Sequence, residues 1–162
     1  AKRLFEAGAD RVALCTAAVT TPDTIDAIAN RYGSQALSVE IQCKRRGSSW
    51  EAYTDGGRER SGRDAIELVH ESIRRGAGEI VLTSVDMEGT KRGFDLDLIS
   101  AIAPKVEVPV IASGGCGSAN HILEARTAGA DGVALASVLH YGILAQEEIE
   151  NGLNDKILQE SS

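Results

Sequence analysis

Residues 7–19 read AGADRVALCTAAV and residues 128–140 read AGADGVALASVLH; the two segments align without a gap and share seven of thirteen letters. Their offset of 121 positions constrains the fold more than any other feature of the chain. Solenoid repeats have periods of roughly 20–50 residues, so this spacing suits half of a larger rotationally symmetric object. The local content says which kind. Ala-Gly-Ala-Asp reads as a helix end, with Gly8 or Gly129 in the left-handed position that closes helices. A short apolar run follows, Val12-Ala13-Leu14 or Val133-Ala134-Leu135, too short for a helix and suited to a buried parallel strand. A small hydroxyl residue, Thr16 or Ser137, then stands where each strand should end. Helix, strand and hydroxyl-bearing loop, written twice, indicate a βα architecture.

The rest of the chain reads the same way. Strands are expected at 11–15, 36–42, 79–84, 108–112 and 132–136, and helices at 1–7, 22–32, 63–75, 95–103, 118–127 and 144–158. Thr21 followed by Pro22 is a good helix opening, with Thr21 as the cap, while Gly33, Gly76 and Gly129 close helices. Residues 47–61, GSSWEAYTDGGRERS, are irregular; Trp50 to Tyr53 and the pair Asp55-Gly56 suggest a hairpin inserted after the second strand. Five strands alternating with helices imply a parallel sheet with right-handed crossovers. A closed (β/α)8 barrel needs eight such units in about 250 residues, and this chain has 162 residues and opens inside a helix, without Met. The expectation is therefore an α/β fold, a partial (β/α)8 TIM barrel of about five βα units, with 1–162 forming the C-terminal part of a single barrel domain. An open doubly wound sheet of five strands is the alternative.

Composition removes several classes of function. A formal charge of −7 argues against nucleic acid and anionic membrane surfaces as partners, since both call for basic patches. No apolar run is long enough to span a bilayer. Cys15, Cys43 and Cys116 are odd in number and widely spaced, as expected of reduced thiols in a cytoplasmic protein. His70, His121 and His140 form no metal-binding spacing, and no metal or cofactor is expected; surface or structural roles are the reading for all three.

In parallel βα folds ligands meet the carboxyl ends of the strands. There the chain places Ser113-Gly114-Gly115-Cys116-Gly117 after VPVIA, Asp86 to Lys91 after EIVLTS, and Ala136-Ser137-Val138 after the last strand. Glycines let a backbone approach an anion closely, and helix starts offer N–H groups, so these three loops are expected to share one phosphate site. Cys15-Thr16-Ala17 closes the first strand, and the repeat expects a second anion site there. Two such sites on opposite rims suit an elongated bisphosphate.

The joint occurrence of GAGEIVLTSVDMEGTKRGFD, VPVIASGGCGSANHILEA, AGADGVALASVLHYG and the segment Cys15 to Val19 resembles the cyclase subunit of imidazole glycerol phosphate synthase. The likeness covers essentially the whole chain, as the C-terminal two-thirds of such a subunit. It implies a barrel of the ribulose-phosphate-binding type. It also implies a lyase of histidine biosynthesis that takes ammonia from a glutaminase subunit in a heterodimer. The substrate would be a phosphorylated ribonucleotide, cleaved to imidazole glycerol phosphate and aminoimidazole carboxamide ribotide. By the same likeness Thr16 would contact one phosphate. Gly89, Ser113, Gly115, Cys116, Ala136 and Ser137 would surround the other, with Thr83 and Glu88 lining the upper barrel and Glu88 replacing the family's Asp. Asp10, Arg11 and Glu79 match charged positions of the glutaminase-facing rim; an ordinary solvated rim is the alternative. Cys15 stands where the family has Asn.

The chemistry implied needs two carboxylates facing each other across the barrel mouth. One belongs to a strand this chain does not contain. The other belongs at Gln42, where the family reads I-D-x-K and this chain reads Ile41-Gln42-Cys43-Lys44. A carboxamide has no proton-accepting state near neutral pH, so the chain by itself is expected to be inactive. Glu40 shares the parity of Gln42 and lies one layer deeper, about 6.6 Å at ~3.3 Å per residue; it is the candidate replacement, or else a Glu paired inside the barrel, with Arg11 for example. Two other readings remain: a non-catalytic phosphate-binding barrel relative, and the cyclase-like subunit of a sugar amidotransferase. Thr83-Ser84 followed by Gly89-Thr90-Lys91 favours the histidine branch.

Overall fold

The computed structural model describes residues 1–147 and 149. Its strands are β1 (Val12–Leu14), β2 (Leu37–Arg46), β3 (Ser49–Thr54), β4 (Glu59–Asp64), β5 (Glu79–Ser84), β6 (Val110–Ser113) and β7 (Gly132–Ala134). The α-helices are α1 (Lys2–Glu6), α2 (Thr16–Thr20), α3 (Asp23–Tyr32), α4 (Ala65–Arg74), α5 (Leu96–Ile102), α6 (Ala119–Thr127) and α7 (Ser137–His140). Strands β1, β2, β5, β6 and β7 are parallel neighbours in that order. Each new parallel strand joins the edge left by the previous one, and the order never reverses. A doubly wound sheet requires a reversal at its switch point, so the open-sheet alternative falls and the partial barrel stands.

The parity of the strands shows where the core lies. Along β2, Leu37, Val39, Ile41 and Cys43 are buried, as are Ile80 and Leu82 of β5 and Val110 and Ala112 of β6. All but Ala112 pack with Ile25 and Ile28 of α3, Leu68 and Val69 of α4, and Leu98 and Ile102 of α5, while Ala112 packs with Ile99 of α5 and Ile122 and Ala125 of α6. Helix α4 shows why it docks: Ala65, Leu68, Val69 and Ser72 are its buried positions, one stripe at helical spacing. The opposite parity, with Glu40, Gln42, Val81, Thr83, Ile111 and Ser113, is only half-buried. This is the concave, barrel-interior face.

Several boundaries differ from expectation for local reasons. Strand β2 runs on to Arg46 because β3 pairs with its far end antiparallel, Gln42 opposite Tyr53 through Arg46 opposite Ser49. The expected hairpin is present as β3 and β4, and it continues to Asp64. Asp64 then caps α4, its carboxylate accepting from the N–H groups of Ile66 and Glu67, so that helix starts later than residue 63. Thr21 is not the side-chain cap of α3; its carbonyl accepts from Thr24 N–H, and the helix opens at Asp23 after Pro22. The extra helix α2 fills the span between β1 and α3. The helix expected at 144–158 falls largely outside the described residues.

Outer helices are tied by charge. Arg75 bonds Glu71 and reaches Asp23 and Asp26 of α3. In the hairpin, Glu51 is nearly buried and accepts from Arg46, Arg60 and the Gly62 N–H; these bonds hold its carboxyl below the usual range, the Arg60 bond contributing most.

The face assignment has a direct consequence. Ile80→Ala should cost about 2–5 kcal/mol, as for other buried aliphatics, while Val81→Ala, its neighbour on the concave face, should cost about 1 kcal/mol or less. Urea unfolding of the two variants checks it, and equal losses would contradict the assignment.

Candidate active site

The C-terminal ends of the parallel strands carry the loops in which the sequence analysis placed phosphate contacts. After β6, Ser113-Gly114-Gly115-Cys116-Gly117 turns back against the loop after β5. Gly93 N–H donates to the Gly115 carbonyl at 2.8 Å, and Glu88 N–H donates to that of Ser84 at 3.0 Å. The glycines are required by this approach. A Cβ at Gly114 would stand 2.7 Å from the Ser84 carbonyl oxygen, and at Gly115 or Gly117 it would overlap the carbonyl oxygens of Gly93 or Lys91. His121 accepts from Gly117 N–H at 3.1 Å, a structural role as expected.

These loops close one tight cleft, walled by Glu88, Ser113, Gly114, Gly115, Cys116, Ala134, Ala136, Ser137 and Val138. Six of the residues singled out from sequence thus come together: Glu88, Ser113, Gly115, Cys116, Ala136 and Ser137. Gly89 follows Glu88 with φ of 72° and does not line the cleft. Thr16 opens α2 at the end of β1, at the far side of the parallel strands from Ser137. Its hydroxyl oxygen accepts from Asp55 N–H at 3.3 Å, and Gln42 Oε1 accepts from Gly57 N–H at 2.7 Å. The turn of the β3–β4 hairpin therefore folds over the ends of β1 and β2. Sequence reasoning missed that contact: Asp55-Gly56-Gly57, all three at positive φ, mark a tight turn but not where it lands.

One layer below Gln42, Glu40 accepts from the Thr83 hydroxyl at 2.8 Å. Near Glu40, the Cys15 thiol is pushed up to about 11, by burial first and then by the Glu40 charge. Glu40 does not pair with Arg11. Arg11 instead meets Glu79 at 2.5 Å, and Glu79 also accepts from Ser38 at 2.6 Å, at the opposite end of the concave face. Asp10 is exposed there. Burial raises Cys116 and, more strongly, Cys43, where the Asp95 and Asp64 charges add to it. All three thiols are accordingly neutral at ordinary pH, which leaves no thiolate nucleophile among them. No group of three or more His, Cys, Asp or Glu residues among those described could hold a metal, and no described helix is long and apolar enough to cross a membrane.

Residues 1–145 match the family described as histidine biosynthesis proteins. The chain belongs to that family. Its relatives include three proteins named imidazole glycerol phosphate synthase subunit HisF. That of Trichormus variabilis is 48% identical over 159 residues, 95% of this chain and 62% of the relative. That of Microcystis aeruginosa is 46% identical over 160 residues, 96% and 63%. That of Gluconacetobacter diazotrophicus is 45% identical over 155 residues, 95% and 60%. The chain thus spans about three-fifths of the length of the curated relatives it matches. Membership of this family agrees with the singly wound barrel order.

Two measurements check the site's physics. Gly8→Ala meets nothing within 4 Å and should cost only the left-handed strain, about 1–2 kcal/mol. Gly115→Ala should cost a further ~1–3 kcal/mol of overpacking in the same urea titration; equal losses would contradict the loop contact. Alkylation of Cys15 by iodoacetamide should follow a midpoint near 11, and Glu40→Gln should move that midpoint down by removing a negative neighbour. An unmoved midpoint would contradict the contact between Glu40 and Cys15.

Proposed function

We propose that this chain is the C-terminal five βα units of a cyclase subunit of imidazole glycerol phosphate synthase, acting in the cytoplasm in histidine biosynthesis. In this reading ammonia comes from a glutaminase subunit docked at the rim of Asp10, Arg11 and Glu79. The substrate is an elongated ribonucleotide carrying two phosphates, split to imidazole glycerol phosphate and aminoimidazole carboxamide ribotide. The observation that carries the reading is the convergence of Ser113, Gly115, Cys116, Ala136 and Ser137 on one cleft in a chain 45–48% identical to proteins of that name.

The geometry suits the substrate. Thr16 and Ser137 end the first and last of five adjacent parallel strands, four inter-strand steps or about 19 Å along the sheet at ~4.8 Å each. One phosphate takes the N–H groups and hydroxyl around Ser137 and Gly115, and Gly89 steers the loop that flanks them. The other takes Thr16. Glu88 opposes a dianion by its charge and serves better as acceptor for a ribulosyl hydroxyl beside the phosphate. Gln42 holds the hairpin turn through Gly57; it orients and does not transfer protons.

Calorimetry with the bisphosphate ribonucleotide tests the reading. Binding should be detectable, and Ser137→Ala should weaken it about fivefold, the loss of one hydrogen bond worth ~1 kcal/mol. Absence of binding to the protein would sink the proposal, and so would an unchanged affinity in the variant.

A further inference from the structure

Resting on that reading and going beyond it, we infer that Glu40 supplies the proton-transferring carboxylate of the reaction, held by Thr83 one layer below the strand ends. The argument begins with what else on this face could do it. Gln42, at the position where the chemistry calls for a carboxylate, is an amide whose oxygen is already committed to Gly57 N–H at 2.7 Å. Glu79 shares the face, but Arg11 meets it at 2.5 Å and Ser38 adds a second donor, which commits it at the far end of the strands. Glu40 differs from both. Among the described residues it makes no ion pair, and its hydrogen-bond donor is the Thr83 hydroxyl.

A neutral hydroxyl orients a carboxylate without the full opposite charge that a guanidinium brings. The remaining ionisable groups leave this arrangement intact. From β1 comes Cys15, kept protonated by burial and by Glu40 itself. From β5 come Thr83 and, further down, the Glu79–Arg11 pair. On β2, Lys44 turns to the Tyr53 ring, 5.6 Å from its centroid. Glu40 is half-buried on the side of the sheet facing the barrel interior, in the parity of Gln42. Its extra methylene relative to Asp recovers part of the ~3.3 Å per residue by which it lies deeper.

The step is a proton exchange that balances by itself. The carboxylate takes one proton from the incoming nitrogen as that nitrogen's lone pair forms its bond to carbon. The carboxylic acid then returns the proton to the nitrogen whose bond to carbon breaks, and that nitrogen keeps the electron pair. Glu40 ends as it began, and no further reactant is consumed.

The test is ammonia-dependent turnover of the protein with its bisphosphate ribonucleotide, run beside calorimetry. Glu40→Gln preserves the shape and the Thr83 contact. It should lower kcat by about 10²-fold or more, the usual worth of a positioned acid–base group, remove the acid limb of the pH–rate profile, and leave the ligand's Kd within about twofold. Glu40→Ala should be equally slow and regain turnover on addition of formate, a response that a packing role would not give. Unchanged kcat in Glu40→Gln, or an acid limb that survives the substitution, overturns the assignment while leaving the cyclase reading in place. A parent protein that binds the ribonucleotide but shows no ammonia-dependent turnover overturns the assignment of Glu40, and one that does not bind it overturns both.

Discussion

Six successive pairings of β2 with β5, Ser38 opposite Glu79 through Cys43 opposite Ser84, fix the rest of this structure. Because side chains alternate along a strand, that register sends Leu37, Val39, Ile41, Ile80 and Leu82 under the helices and turns Ser38, Glu40, Gln42, Glu79 and Thr83 to the concave side. A slip of one residue would bury the polar set and expose the apolar one. The cost of unpaired carboxylates in the core makes such a slip prohibitive. The same register brings Thr83 to Glu40 and Ser38 to Glu79. Each concave-face carboxylate therefore finds its hydroxyl on the neighbouring strand, and the polar face is organised by the apolar one behind it.

At the strand ends a second constraint takes over, which is backbone meeting backbone. Gly115 and Gly117 lie so close to the carbonyls of Gly93 and Lys91, and Gly114 to that of Ser84, that no Cβ fits at these three positions. A cleft built this way presents main-chain atoms and small side chains. The β3–β4 hairpin acts at the other side, where its turn meets Thr16 and Gln42 through main-chain N–H groups. In both places the side chain is secondary to the path of the backbone.

Much of this was legible from residues. The repeat of residues 7–19 in 128–140 pointed to a barrel, and the five parallel strands follow in the order it implied. The loop residues around Ser113 and Ser137 could be grouped because each follows an apolar run of strand length. The hairpin's reach was not legible: whether Asp55 and Gly57 fold over Thr16 depends on how far β2 extends, and its extension depends on pairing with β3, a tertiary choice that local propensity does not contain. The partner of Glu40 was likewise open. Parity alone allowed Arg11, but Glu79, two residues before Val81 on the neighbouring strand, intercepts that guanidinium. The short helix α2 escaped notice because Thr16–Thr20 is rich in β-branched residues and small ones, with no helical stripe.

The central claim is that the strand ends of this arc gather backbone N–H groups around an oxyanion. A crystal structure of the protein grown or soaked with the bisphosphate ribonucleotide tests this most directly. The account predicts one phosphate within hydrogen-bond distance of the main chain at Gly115 and Ser137, with the other beside Thr16. A ligand seated elsewhere, with the cleft between Glu88 and Ser137 untouched, would contradict it.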